Sequence, residues 1–251
     1  MPSRFVHLHV HSEYSILDSS CRLSDLIERA SASGMGAIAL TDHGVLSGAV
    51  KFFREAKERG VHPVLGCEIY VAPGDRRDRT GGEGGRYFHL VLLAESDVGF
   101  RNLVQIVSAA HTEGFYYRPR ADKELLAAHA EGLIALSACE SGEIPRLLAA
   151  GKEREADQVA AAYAKLFGPD RFFIELQNHG TERDAQLRRR LIALAARLGL
   201  PLVATSDVHY LDPDDKLAHE VLINIRANRT LDDPEHRTFD GDGYHFRSPE
   251  E

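Results

Sequence analysis

Residues 37–71 read AIALTDHGVLSGAVKFFREAKERGVHPVLGCEIYV, and the order of patterns in that stretch sets the fold. A short apolar run, Ala37–Leu40, stops at Thr41 and Asp42; an amphipathic pattern over residues 48–60 closes on Gly60; a longer apolar run follows from Pro63 to Val71. Short continuous apolar runs read as strands buried on both faces, and apolar spacings of three and four read as a helix. Gly at the end of such a pattern is an ordinary helix stop. The stretch is therefore a strand, a helix and a second strand.

The same rhythm extends both ways. Apolar runs at Phe5–Val10, Tyr87–Ala94, Leu133–Ser137, Phe172–Leu176 and Leu202–Thr205 bring the expected strands to seven. Helical patterns cover residues 23–34, 100–112, 143–168 and 183–199. Strands alternating with helices predict an α/β fold around a parallel sheet, closed or nearly closed into a barrel. A doubly wound open sheet is the alternative, but no glycine fingerprint follows the first strand and no Walker-type loop occurs. APGDRRDRTGGEGGR, residues 72–86, is expected to be an exposed, mobile loop. After Asn228 the text turns polar and extended, which divides the chain into a barrel, residues 1–230, and a tail leaving it, residues 231–251.

The totals narrow the function. Of 251 residues, 43% are hydrophobic and 27% charged, as in a soluble globular protein. The start MPSRFVHLHV lacks a signal-peptide pattern and no apolar run is long enough to span a bilayer, which predicts a cytoplasmic protein. Cys21, Cys67 and Cys139 form no CxxC pair, so they are expected to be reduced thiols rather than a disulfide framework or a zinc finger. A net charge of −8 is the wrong sign for holding nucleic acid by basic surface alone. A phosphate ligand would need bound cations, and 13 histidines make that reading worth pursuing.

In barrels of this kind the chemistry gathers where the strands end, because the loops there converge on one rim. His9 and His11 end the first strand, His43 follows the second in TDHG, Glu68 lies in the third and His89 in the fourth. Cys139 follows the fifth, and Asp207 with His209 follows the seventh in TSDVH. The sixth offers Asn178 and His179. With Asp18, in the loop after the first strand, the candidate metal ligands number nine. Each alone has an ordinary explanation as a bonded core histidine, an ion-paired glutamate or a small buried thiol. Together they bring metal-binding groups to one end of six strands.

The spacings make chemical sense as well. H-x-H and D-x-H on an extended chain put both side chains on one face. Nine donors exceed a tetrahedral zinc and suit two or three divalent cations sharing carboxylates. Nitrogen and oxygen donors with one thiolate favour zinc, manganese or iron. Such a group clamps phosphate and activates water, so the predicted reaction is hydrolysis of a phosphate ester.

Other residues read less specifically. His7 shares the face of His9 and His11 but is expected to lie deeper, as support. Asp42 is expected to orient a ligand or to cap a turn. GFYYRPR, residues 114–120, interleaves Tyr116 and Tyr117 with Arg118 and Arg120, as base stacking and phosphate contact require, although a loop fixed by Pro119 reads the same way. LRRRL, residues 187–191, is taken as the solvated face of a helix, and His62, His111, His129 and His219 as ordinary.

HLHVH, TDHG, GCEIYVAP, YFHLVLLA, LSAC and TSDVHY resemble the motifs of the polymerase and histidinol phosphatase (PHP) family. The wording around them, including LTDHGVLSGAVKFF, EGFYYRPR, EGLIALSAC, GEIPRLL and RTLDDP, is similar to the amino-terminal domain of bacterial replicative DNA polymerase III alpha subunits, over essentially the whole chain. The resemblance implies a distorted, TIM-like (βα)7 barrel of seven strands. It implies a trinuclear centre held by His9, His11, Asp18, His43, Glu68, His89, Cys139, Asp207 and His209, supporting a metal-dependent 3′–5′ exonuclease that proofreads a DNA 3′ end. Glu68 is assigned as a bridging carboxylate acting with Asp207 and His43 in catalysis, and His179 as a contact of the scissile phosphate or leaving group. The implied partners are the remaining domains of a polymerase alpha subunit, with the palm beginning beyond residue 251, and other replisome subunits. Some members have lost ligands and keep the domain as a scaffold, whereas all nine are present here; the departures LDSSCR and SACESGE leave the ligands untouched. Two alternatives stand beside this reading: a small-molecule phosphatase of the histidinol phosphatase type, sharing every ligand, and a non-catalytic, metal-stabilised module of the polymerase.

Overall fold

The computed structural model describes residues 5–80, 87–168 and 170–251. In chain order its elements are α1 (Leu23–Ala32), β1 (Ala37–Leu40), α2 (Ala49–Glu58), β2 (His62–Val71), β3 (Phe88–Ala94), α3 (Asp97–Thr112), β4 (Phe115–Tyr116), β5 (Arg118–Ala121), α4 (Lys123–Ala128), β6 (Leu133–Leu136), α5 (Glu143–Ala149), α6 (Glu153–Phe167), β7 (Phe172–Leu176), α7 (Glu182–Leu198), β8 (Leu202–Ala204) and α8 (Lys216–Ala227). No helix among the described residues is long and apolar enough to cross a membrane.

Six strands and one irregular segment form a seven-stave barrel. β1 runs parallel to the first half of β2, β6 parallel to β7, and β7 parallel to β8. β3 runs antiparallel to both its neighbours, β2 and β6. The expected parallel sheet is thus wrong at β3. Its cause is the absence of any helical pattern between β2 and β3: without a crossover the chain can only return antiparallel. The seventh stave, residues 7–11, closes the barrel by donating His11 N–H to Val208 O at 2.9 Å and accepting from Val208, Ala39 and Thr41. The strand expected at Phe5–Val10 is only a single bridge, Val10 to Val208. The ladder fails there because Val10 N–H goes to the Thr41 hydroxyl at 2.8 Å instead of to a carbonyl.

Alternation within β3 shows how the barrel is filled. Leu90 and Leu92 point outward into the main core with Leu103 and Ile106 of α3, while Val91 and Leu93 point inward with Ala39 and Leu136. His89 is in phase with the inward set. Because β3 is reversed, its start, not its end, lies on the functional rim. On the other side Leu26 and Ile27 of α1 and Phe52 of α2 cover Ile38 of β1.

Three further segments depart from expectation. GFYYRPR is not a free loop but the tight hairpin β4–β5, which extends the sheet beside the second half of β2. The charged stretch after Ala72 is anchored by Arg76, which bonds Asp122 at 3.0 Å and Glu113 at 2.6 Å; residues 81–86 of that expected loop lie outside the described residues. The segment expected to leave the barrel after Asn228 folds back onto it. Tyr244 O accepts from His209 N–H at 2.9 Å, Phe246 N–H bonds Tyr210 O at 3.1 Å, and Phe246 is buried. Three aromatic side chains, Phe239, Tyr244 and Phe246, supply the apolar surface that a polar composition had hidden.

Gly99, in the first turn of α3, allows the helix to seat against the turn before β6. A Cβ there would lie 1.8 Å from Gly132 O, a carbonyl already pinned by Glu95 N–H at 2.9 Å. The Gly99→Ala variant is expected to lose about 1–3 kcal/mol, as overpacked sites do. At roughly 2–4 °C per kcal/mol this is a melting-temperature drop of several degrees by calorimetry. A variant melting with wild type would contradict the close approach.

Candidate metal centre

All nine residues expected as ligands meet at the barrel rim. Glu68 stands at their middle, just past the point where β1 ends and releases the edge of β2. Its Oε2 lies 2.9 Å from His43 Nδ1, 3.3 Å from His11 Nε2 and 3.4 Å from His9 Nε2. Its Oε1 lies 2.9 Å from His89 Nδ1 and 3.8 Å from Cys139 Sγ. Asp207 Oδ1 lies 3.2 Å from His9 Nε2, 3.3 Å from His11 Nε2 and 3.6 Å from His209 Nδ1. Asp18 Oδ2 lies 3.3 Å from His43 Nε2.

These donors fall into three overlapping groups able to hold a cation: His9, His11, Glu68 and Asp207; His43, Glu68 and His89; and His11, His43 and His209. The fit to metal is best judged from the atoms without partners. His9 Nε2, His11 Nε2, His43 Nδ1, Glu68 Oε2 and Asp207 Oδ1 are buried and none makes a hydrogen bond. Buried polar atoms are nearly always bonded, so five orphans facing one another are aimed at something between them. The donor set suits a borderline divalent cation.

The backbone is bent to make this possible. Leu17, Ala138 and Asp207 adopt left-handed φ values of 57°, 64° and 51°, each at or beside a candidate ligand. Such a conformation costs a non-glycine residue about 1–2 kcal/mol and persists only where the surroundings enforce it.

Supporting hydrogen bonds set the imidazoles. The Ser15 hydroxyl donates to Asp42 Oδ1 at 2.7 Å, so its oxygen can only accept from His11 Nδ1–H, at 3.2 Å. Asp42 also takes Ser12 N–H at 2.7 Å; it organises the loop that aims His11 and makes no direct approach to the centre. His209 Nδ1–H donates to Asp207 O at 2.8 Å. Both rings thus turn Nε2 away from their supports. Burial alone would lower the pKa of His9, but Asp207, Glu175 and Glu68 outweigh it and raise it well above the usual value. The same opposition, with the Asp207 and Glu68 carboxylates 3.3 Å from Nε2, takes His11 up to about 9. Burial and the His11 charge hold His209 down at about 3. His43 is lowered, by burial first. Glu68 and Asp207 stay ionised because the histidines around them overcome burial, and burial keeps the Cys139 thiol protonated.

A cavity of about 370 Å³ opens above the centre, walled by four arginines: Arg118, Arg146, Arg188 and Arg226. Arg226 pairs with Asp18 Oδ2 at 2.5 Å. Of the expected substrate contacts, Arg118 and His179 line this cavity. Tyr116 and Arg120 do not. Arg120 is buried and donates to the carbonyls of Arg76 and Asp78 at 3.0 and 2.6 Å, with Tyr116 packed against its guanidinium at 5.1 Å, so this pair clamps the neighbouring loop.

Several residues were misjudged or missed. Arg188, read as part of a solvated face, lies on the cavity wall, where it bonds Gln177 O and Asn178 Oδ1 at 3.1 and 2.9 Å. His219 and His111 hold rim backbone, through Asp18 O and Gly44 O, both at 2.9 Å. Tyr244 stacks on His179 with ring centroids 3.7 Å apart and planes within 4°. Glu175 escaped notice, although a lone carboxylate inside the apolar run FFIEL was a signal for it. His7, fully buried, donates Nε2–H to Arg247 O at 2.9 Å and packs on Phe246.

Residues 7–179 match the PHP domain family. The chain is 47% identical to DNA polymerase III subunit alpha of Treponema pallidum (strain Nichols) and 44% identical to that of Thermus aquaticus, over 98% and 99% of its length. It spans about a fifth of the length of these curated relatives, 21% in each case. Among solved structures, a Bifidobacterium adolescentis protein whose metal-dependent phosphoesterase activity is itself inferred superposes with a TM-score of 0.50 at 15% identity, over 83% of this chain and 89% of that one. At that identity the likeness speaks to the fold.

Proposed function

Since this chain belongs to the PHP family, we propose that its rim is a metal-dependent phosphodiesterase centre that removes nucleotides from a DNA 3′ end. The observation that carries the reading is the convergence of five buried, unbonded donor atoms from four separate segments on one small volume. His9, His11, Asp18, His43, Glu68, His89, Cys139, Asp207 and His209 would hold two or three cations, of zinc, manganese or iron. Divalent cations bound there supply a Lewis acid for the phosphoryl oxygens and lower the pKa of water toward neutrality.

The chain's own residues divide the remaining work. Glu68 faces different partners with its two oxygens and would bridge adjacent sites, while Asp207 and His43 complete the catalytic group. Arg118, Arg146, Arg188 and Arg226 offset the acidic chain charge at the one place where a phosphate backbone must approach. His179, held flat by Tyr244, stands on the wall where a scissile phosphate or leaving group would lie. This activity belongs with the remaining domains of a polymerase alpha subunit and other replisome subunits, in the cytoplasm; the extent of the relatives supports that setting.

The test is a digestion series with a 3′-labelled primer, paired or mismatched at its end, beside a sugar phosphate. His9→Ala and Asp207→Ala serve as controls. Shortening of the mismatched primer, lost in both variants, is the expected result. Turnover of the sugar phosphate alone would indicate a small-molecule phosphatase, and no turnover with zinc, manganese or iron a structural module.

A further inference from the structure

We propose that Glu175 is a positioning residue of the metal centre, holding His9 in the tautomer that presents Nε2 to the cations; this rests on the metal-binding reading of His9. Glu175 lies in β7, opposite Val203 of β8, with its amide fixed by the Ser137 hydroxyl at 2.9 Å. Only 1% of it is exposed. Its Oε1 accepts three hydrogen bonds: from His9 Nδ1–H at 2.7 Å, from the Gln177 side-chain amide at 2.9 Å and from the Thr205 hydroxyl.

No lysine or arginine among the described residues pairs with this carboxylate; its one ionic partner is His9. A buried carboxylate with no fixed cation beside it is costly unless bonded, so the fold retains it for its effect on that ring. When Nδ1–H is donated to a carboxylate, the lone pair resides on Nε2 and the imidazole becomes a stronger donor. His9 Nε2 is the atom that faces Glu68 and Asp207 at 3.4 and 3.2 Å and has no hydrogen bond. With an apolar side chain in place of Glu175, His9 could equally aim a ring N–H at the cations. The arrangement is carried in sequence by E-x-Q in FFIELQ, residues 172–177, where alternate positions put Glu175 and Gln177 on one face.

The experiment measures zinc affinity of the full chain by chelator competition for wild type, Glu175→Gln, Glu175→Leu, Thr205→Val and His9→Ala, and follows the His9 ring proton by NMR in the zinc-loaded protein. Glu175→Gln keeps the volume and an acceptor oxygen but removes the charge; a loss of about 10-fold is expected, and about 100-fold for Glu175→Leu, the span of supporting-residue effects at metal sites. Thr205→Val, which removes one of the three donors, should weaken binding less than either. The Nδ1 proton should be protected from exchange in wild type, shifted in Glu175→Gln and absent in Glu175→Leu. Wild-type affinity and an unmoved ring proton in Glu175→Gln would reduce Glu175 to packing and overturn the proposal. If His9→Ala loses affinity while both Glu175 variants keep it, the positioning role alone fails. If His9→Ala binds zinc like wild type, the metal reading of His9 fails with it.

Discussion

Glu68→Ala is expected to lower phosphodiesterase turnover by about 10³-fold or more and to leave the protein without its full complement of metal. The magnitude follows from cation chemistry worth several kcal/mol in the transition state, at 1.36 kcal/mol for each factor of ten. Glu68 warrants the largest effect because it alone touches both halves of the centre. Oε2 faces His9, His11 and His43, and Oε1 faces His89 and Cys139. Removing it leaves Asp207 as the one carboxylate facing the Nε2 atoms of His9 and His11 among the described residues. Elemental analysis and single-turnover digestion check the prediction together. A variant with full metal content and more than a tenth of wild-type activity would show that the cations lie elsewhere.

Stripping the metal should be almost as damaging to stability as that substitution is to activity. Cations bound at about a thousandfold above their dissociation constant contribute roughly 4 kcal/mol, so exhaustive chelation should lower the melting temperature by roughly 10 °C. Rebinding should release protons. At pH 7 the metal-free protein carries them on His9, raised well above its usual value, on His11 at about 9, and on the Cys139 thiol. Each must leave before its atom can coordinate, so about two to three protons are expected per chain, and affinity should rise with pH through about 9, where His11 deprotonates, and continue above it because burial holds the Cys139 thiol higher. Calorimetric titration in two buffers of different ionisation enthalpy measures the number. Binding without proton release would place the cations on other groups.

The ligand set was legible because its residues are chemically conspicuous: imidazoles and carboxylates at the ends of apolar runs have few other reasons to be there. The strand–helix rhythm likewise placed β1, β2, β6, β7 and β8 to within a few residues. What failed was whatever depends on partners distant in sequence. The direction of β3 was implicit in the missing helix before it, yet His89, in the fourth expected strand, was assigned to a rim where the strands were all expected to end. Arg188 and Arg120 exchanged roles because neither spacing nor charge tells which guanidinium finds a cavity and which finds carbonyls. The tail was misread because three aromatic residues among charges look solvated until the surface they cover is known. Residue types announce chemistry, but only packing distinguishes the arginine that meets a phosphate from the one that braces a loop.

Barrel closure also has a consequence in time. The stave carrying His9 and His11 is held by Val208, and the wall above it by Tyr244, so the first ligands made during synthesis wait for almost the last residues of this chain. Contacts between such remote positions form late, since a long loop must close first. Until then His9 and His11 are unoriented, and the ligand cluster is not assembled. Metal capture is therefore a report that this barrel has closed.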